Sequence, residues 1–153
     1  MLKGSCACGR IRYETQAQVL AVNACHCKTC QQVSGGPFLG FVDFPTSELK
    51  WTRQPEIWAS SDIAERGYCK VCGSSMSMRY HFEPERIGLC LGTVLEARPP
   101  LPGLSAHIFL NEKASYFVLP DDGASGWDEF KPKFHDKIRK WKQGRVSNIK
   151  ANL

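Results

Sequence analysis

Seven of the eight cysteines in this 153-residue chain stand in three tight clusters: Cys6-Ala7-Cys8, Cys25-His26-Cys27-Lys28-Thr29-Cys30 and Cys69-Lys70-Val71-Cys72. Neighbouring cysteines make poor disulfide partners, because the bridge strains a short turn and closes almost no loop. They can instead converge on a metal, and soft sulfur ligands select zinc over magnesium or calcium. Seven clustered thiols divide naturally as four plus three. Four close a structural site; three leave one coordination position open.

Cys-x-Cys in a strand projects two sulfurs to one side, whereas Cys-x-x-Cys needs a tight turn. Glycine follows both Cys8 and Cys72 and eases such turns. Cys6, Cys8, Cys69 and Cys72 therefore read as two half-sites that face each other across the fold. Spacing alone leaves open which clusters share an ion. A site built on Cys25, Cys27 and Cys30 needs completion by water, a substrate thiol or a distant side chain, with His26, His107 and Cys90 as candidates. The third adjacent cysteine favours metal over thioredoxin-like exchange at Cys27-x-x-Cys30. His26, between two ligands, should point away from the ion as an exposed polar side chain, the other reading being an acid/base group or a residue that supports the ligands. Cys90 reads as a small buried hydrophobe, His107 as a packed residue at a strand end, and Trp51 and Trp58 as core, with a pocket wall as the alternative.

These residues must be positioned by mostly β structure. Alternation predicts strands at Arg10–Thr15, Glu65–Cys69 and Ser74–Tyr80, the last with Met76, Met78 and Tyr80 on one face. Aromatic and branched residues predict another at Phe38–Phe44, and further strands at Glu56–Ala59, Arg86–Leu91, Ala106–Leu110 and Ser115–Leu119. Arg98–Gly103, rich in proline, is a connection. Two helices are expected: a short one over Lys28–Val33, and one near the C-terminus where Phe130, Phe134, Ile138 and Trp141 recur at helical spacing, with Gly144 as a stop.

The apolar share of 42% and charged share of 23% suit an ordinary globular protein. The formal charge is +5, but residues 131–153 hold eight Lys or Arg against Asp136 alone, which leaves −2 for the rest. The body thus has little electrostatic support for nucleic-acid binding. The tail is expected to dock as a helix with a solvated basic face, the other reading being an arm for an acidic partner. No apolar leader or membrane-spanning stretch is visible, and unbridged cysteines point to a reducing, cytoplasmic setting.

The ordered runs Gly4-Ser-Cys-Ala-Cys-Gly-Arg-Ile-Arg-Tyr-Glu14, Cys25-His-Cys-Lys-Thr-Cys-Gln-Gln-Val-Ser-Gly-Gly-Pro-Phe38 and Tyr68-Cys-Lys-Val-Cys-Gly-Ser74 resemble the glutathione-dependent formaldehyde-activating enzyme family, which is related to the centromere protein V domain. The segment from His107 through Tyr116–Asp122 is similar to the family's closing segment. The resemblance implies a mainly β fold, a β-tent of antiparallel sheets with zinc knuckles. It spans residues 1–130 as one zinc-binding domain, and the basic extension 131–153 lies beyond it. It implies two zinc ions per chain: a structural one on Cys6, Cys8, Cys69 and Cys72, and a second, catalytic-type ion on Cys25, Cys27 and Cys30 that need not be fully occupied. The implied activity is that of a carbon–sulfur lyase joining formaldehyde to glutathione as S-(hydroxymethyl)glutathione. The alternative is a zinc-stabilised β-tent binding module without catalysis.

Overall fold

The computed structural model describes residues 1–151. Its strands, in chain order, are β1 (Leu2–Ser5), β2 (Arg12–Thr15), β3 (Ala21–Cys25), β4 (Leu39–Pro45), β5 (Leu49–Trp51), β6 (Glu56–Ala59), β7 (Ala64–Tyr68), β8 (Ser75–Tyr80), β9 (Arg86–Cys90), β10 (Val94–Ala97), β11 (Ala106–Ile108) and β12 (Ser125–Gly126). Two α-helices accompany them among the described residues, α1 (Lys28–Ser34) and α2 (Pro132–Ala151). The strands form a four-stranded sheet in the order β10-β1-β2-β5 and an eight-stranded sheet in the order β12-β11-β3-β4-β9-β8-β7-β6. This is the mainly β, two-sheet architecture that the family resemblance implies. One departure is local: β11 runs parallel to both β3 and β12.

Period-two alternation gives each sheet one apolar face. The larger core forms where Leu2 and Tyr13 of the small sheet meet Val22, Val42, Phe44 and Leu89 of the large one. Removing the Phe44 ring there would cost about 3–5 kcal/mol, since the side chain is almost fully enclosed. Tyr13 folds its ring over its cross-strand partner on β1 so closely that only glycine fits at position 4: a Cβ there would lie 2.2 Å from the Tyr13 ring. Tyr13 shares a hydrogen bond of 2.7 Å with the Thr93 hydroxyl.

A smaller cluster of Cys25, Cys30, Phe41 and Cys90, with Leu39, Met78 and Ile108 against it, lies in the large sheet. Met76 packs in the larger core and Met78 against this one, so the two methionines do not share an environment as alternation implied. A register shift in the β7–β8 ladder between Gly67 and Tyr68 accompanies the change.

Three other expectations are corrected. The stretch 115–119 forms no strand, and Tyr116 and Val118 are among the most exposed large side chains. Helix α2 continues past Gly144 to Ala151. Trp58 lies on β6, the outermost strand of its sheet, and is about half exposed, whereas Trp51 packs edge-on against Tyr13 at 5.2 Å.

Candidate metal centres

The turn between β1 and β2 carries Cys6 and Cys8, and the turn between β7 and β8 carries Cys69 and Cys72. The two turns are built alike. Gly9 N–H donates to the Cys6 carbonyl at 2.9 Å, and Gly73 N–H to the Cys69 carbonyl at 2.8 Å. Cys6 N–H closes its loop on Ile11 and Cys69 N–H on Ser74, both at 3.0 Å. Gly9 and Gly73 take left-handed φ values of 71° and 75°, where a side chain is strained. The turns bring the four sulfurs within 4.8 Å of one another. Sulfurs on a tetrahedral zinc should stand about 3.8 Å apart, given a bond of about 2.3 Å. Cys6 and Cys8 stand 3.6 Å apart and Cys8 and Cys69 3.8 Å, far too long for disulfides and suited to a shared ion.

The surroundings favour the thiolate at Cys69 and Cys72. Ile11 N–H points at the Cys6 sulfur at 3.3 Å. The Ser74 hydroxyl, 3.2 Å from the Cys72 sulfur, leads the interactions that lower that thiol to about 5. Arg10 clamps Glu56 with bonds of 2.9 and 2.6 Å, and its guanidinium faces the Cys69 sulfur at 3.9 Å. That clamp holds the Glu56 carboxyl down at about 2.

Cys25, Cys27 and Cys30 form the second cluster, also within 4.8 Å of one another. Cys25 ends β3, Cys27 caps α1 and Cys30 lies in its first turn. The cap sets the geometry: Cys30 N–H donates to the Cys27 sulfur at 3.4 Å. Glu112 fixes the start of α1 by accepting from Lys28 N–H at 2.6 Å, and Gln31 ties the His26 and Glu112 carbonyls together at 2.6 and 2.8 Å. Hydrogen bonds from Cys25 and Cys30 drive the Cys27 thiol far down, and the same contacts push Cys25 up. Of the three thiols, Cys27 is the one these contacts dispose most towards ionisation. Arg66 faces it, with Nη2 3.4 Å from the Cys30 sulfur.

None of the three residues considered for the fourth position joins this cluster among the described residues. Cys90 is buried beside it, as expected of a small hydrophobe. His26 is not an exposed polar side chain; it is fully buried, as is His107, and the two rings bond at 2.9 Å. His107 Nε2 reaches the Asp122 carboxylate at 3.0 Å. Asp122 is held below the usual carboxylate range, first by the Ala124 N–H and then by His107. An ionised Asp122 makes His107 Nε2 the donor, so a neutral His107 accepts at Nδ1 from His26 Nε2–H. Burial leads the effects that hold His26 below its ordinary value. The relay orients the loop that carries Cys25 and Cys27 without competing for the ion.

A cavity of about 380 Å³ opens beside the second cluster, with Cys25 in its wall together with Phe41, Met78, Tyr80 and Ile108. A second, of about 400 Å³, is lined by Arg66, Cys90, Leu39 and Tyr68. Both are in the size range of small-molecule sites. Sequence reasoning did not single out Arg66, Glu112 or Asp122. A cue existed for Arg66, which falls in an alternating strand just before Cys69.

The family model for glutathione-dependent formaldehyde-activating enzymes matches residues 1–112. The chain belongs to the glutathione-dependent formaldehyde-activating enzyme family. Both cysteine centres fall inside the matched span, and α2 lies outside it. An uncharacterized lyase of Schizosaccharomyces pombe is 30% identical over 78 residues, covering 51% of this chain and 57% of that protein. A protein of Halomonas elongata, named provisionally as a glutathione-dependent formaldehyde-activating enzyme, is 23% identical over 150 residues, 83% of this chain and 94% of its own. Among solved structures, a crystal structure of a Rhodobacter sphaeroides protein shares the fold with a TM-score of 0.53 at 20% identity, covering 82% of this chain and 98% of that one. The centres of this family member could hold metal ions, and an all-sulfur donor set suits zinc. No helix among the described residues is long and apolar enough to cross a membrane.

Proposed function

We propose that the chain is a zinc-dependent carbon–sulfur lyase acting on the adduct of a small thiol, with glutathione and formaldehyde as the first candidates. Cys6, Cys8, Cys69 and Cys72 hold a structural zinc. Cys25, Cys27 and Cys30 hold the second, at which the reaction takes place. The family match and the lyase names of its relatives support this reading. The observation that carries it is the incomplete ligand set: three sulfurs, no fourth protein ligand in the cluster among the described residues, and a cavity that Cys25 lines.

A zinc ion bound there would hold a substrate thiol as its thiolate or polarise a carbonyl. The chain supplies the rest. Arg66 offsets the negative charge gathered on three thiolates, and the His26–His107–Asp122 relay keeps their loop in place. The apolar walls of the cavity displace water from the reacting atoms. In the forward direction the thiol sulfur bonds to the aldehyde carbon, the thiol proton leaves and the carbonyl oxygen gains one. No redox partner is needed.

The test keeps zinc in the four-sulfur site and loads cobalt into the other. Cobalt-edge absorption should count three sulfurs, and four once glutathione is added. If four protein ligands are present from the start and glutathione changes nothing, the enzyme reading fails and a zinc-stabilised binding module takes its place.

A further inference from the structure

One rung of paired residues crosses the large sheet from Ala21 through Asp43, Gly88, Met78 and Arg66 to Trp58. Paired residues share a face of a sheet, so this rung places Asp43, Gly88 and Met78 together in the lining of the Cys25 cavity. Gly88 keeps the floor open, since a Cβ there would lie 2.8 Å from an Asp43 carboxylate oxygen. The sheet supplies no lysine to the lining. Phe130, Lys131, Lys133 and Phe134 complete it, and all four lie beyond the span that defines the family.

This wall is fixed in place. The Phe130 ring meets Phe109 edge-on at 4.8 Å and Tyr80 at 5.7 Å, and Phe134 packs on Tyr80 and Phe82 at 5.9 Å. Farther along α2, Lys137 pairs with the buried Glu83, and Lys142 with Asp62 at 2.8 Å. The charges around the cavity are unbalanced. Asp43 pairs with Arg86 and Glu83 with Lys137, so both acids of the lining are matched. Lys131 and Lys133 remain over. Lys131 acts on Asp43 only as a more distant charge.

We propose that Lys131 and Lys133 are specificity-determining residues, which select a thiol carrying carboxylates over the same thiol with its carboxylates esterified. The inference rests on the proposed thiol site at Cys25, Cys27 and Cys30. It adds that the first turn of α2 and the residue before it make this member's substrate choice. Partly exposed ion pairs contribute modestly, so the two lysines together should favour an anionic thiol by about fivefold.

The experiment uses the full chain with zinc in the four-sulfur site and cobalt in the other, titrated with glutathione and with glutathione diethyl ester, which keeps the thiol and lacks free carboxylates. Cobalt charge-transfer absorption reads binding of either. Glutathione should bind about fivefold more tightly than the ester. The gap should shrink at 0.5 M salt and close in K131Q/K133Q, with the ester's affinity unchanged. Equal affinities in the wild type, or a gap that survives in the double variant, overturn the inference while leaving the thiol site standing. If neither thiol perturbs cobalt, the thiol-site reading falls with it. S-methylglutathione, which has the carboxylates and no thiol, then decides the lysines' role alone: a thermal shift in the wild type that K131Q/K133Q abolishes would keep them as a carboxylate site, and none would end the proposal.

Discussion

The two cysteine centres offer the same donor atom, and they differ in which parts of the chain they join. Cys6 and Cys8 sit in a turn of the small sheet, and Cys69 and Cys72 in a turn of the large one, more than 60 residues on. A metal there staples the two sheets. Cys25, Cys27 and Cys30 belong to one six-residue segment, already held by β3, the α1 cap and Glu112. An ion in that site closes almost no loop, so its binding energy is free to act on a ligand rather than on the fold. Four sulfurs across the fold make a clasp; three within one segment make a socket.

Breaking the clasp should have the largest effect. Cys69 is fully buried between Arg10 and the other sulfurs, and Cys69→Ser removes the thiolate that links the turns. The variant should be largely insoluble or lose more than about 10 °C in Tm, since structural zinc supplies folding free energy directly. Soluble yield and metal content by mass spectrometry check it. A folded variant that keeps two metals would sink the staple.

Cys27→Ser tests the socket. It removes one of the three sulfurs of the cluster, so one metal should be lost, thiol binding abolished and Tm moved by no more than about 4 °C. Mild chelation of the wild type should likewise strip one metal before unfolding begins. Loss of both metals together with the fold would erase the distinction between the two centres.

A subtler change targets Arg66, whose guanidinium faces the Cys30 sulfur at 3.4 Å. Arg66→Gln keeps a hydrogen-bond donor but discards the charge. It should weaken the second metal about tenfold, within the range seen for residues that support metal ligands, and leave the first unchanged. Competition with a chromophoric chelator measures both affinities. Equal weakening of the two sites would show a general loss of structure instead.

The contrast also explains what was legible before the structure. Cysteine spacing and the glycines after Cys8 and Cys72 point to both centres, because ligand spacing and left-handed turns are local properties. Strands β4, β8 and β9 are legible for the same reason: their alternation or branched composition is written in adjacent residues. Strand β3 was missed, although it carries Cys25. The His26–His107–Asp122 relay was missed because it depends on β11 lying parallel to β3, with Ala24 opposite His107, across more than 80 residues. The stretch 115–119 is branched and aromatic enough for a strand, yet it finds no partner, and composition alone cannot supply one.

The finest test of clasp against socket is a matched pair of glycines. Gly73 follows Cys72 at φ 75°, and Gly35 caps α1 at φ 68°. Neither would place a new Cβ within 4 Å of another atom. Gly73→Ala and Gly35→Ala therefore carry the same penalty for a left-handed backbone, about 1 kcal/mol, or about 2–4 °C in Tm for a chain of this size. Their effects on metal should separate. Gly73 N–H closes the turn that holds Cys69 and Cys72, so strain there should loosen the four-sulfur site and leave the other intact. Gly35 lies beyond the last ligand at the far end of α1, where its N–H bonds to Gln31, so its strain should reach neither ion. Chelator competition on both variants reads the difference. If Gly35→Ala releases the second metal as readily as Gly73→Ala loosens the first, then α1 as a whole, rather than its capped first turn, shapes the socket.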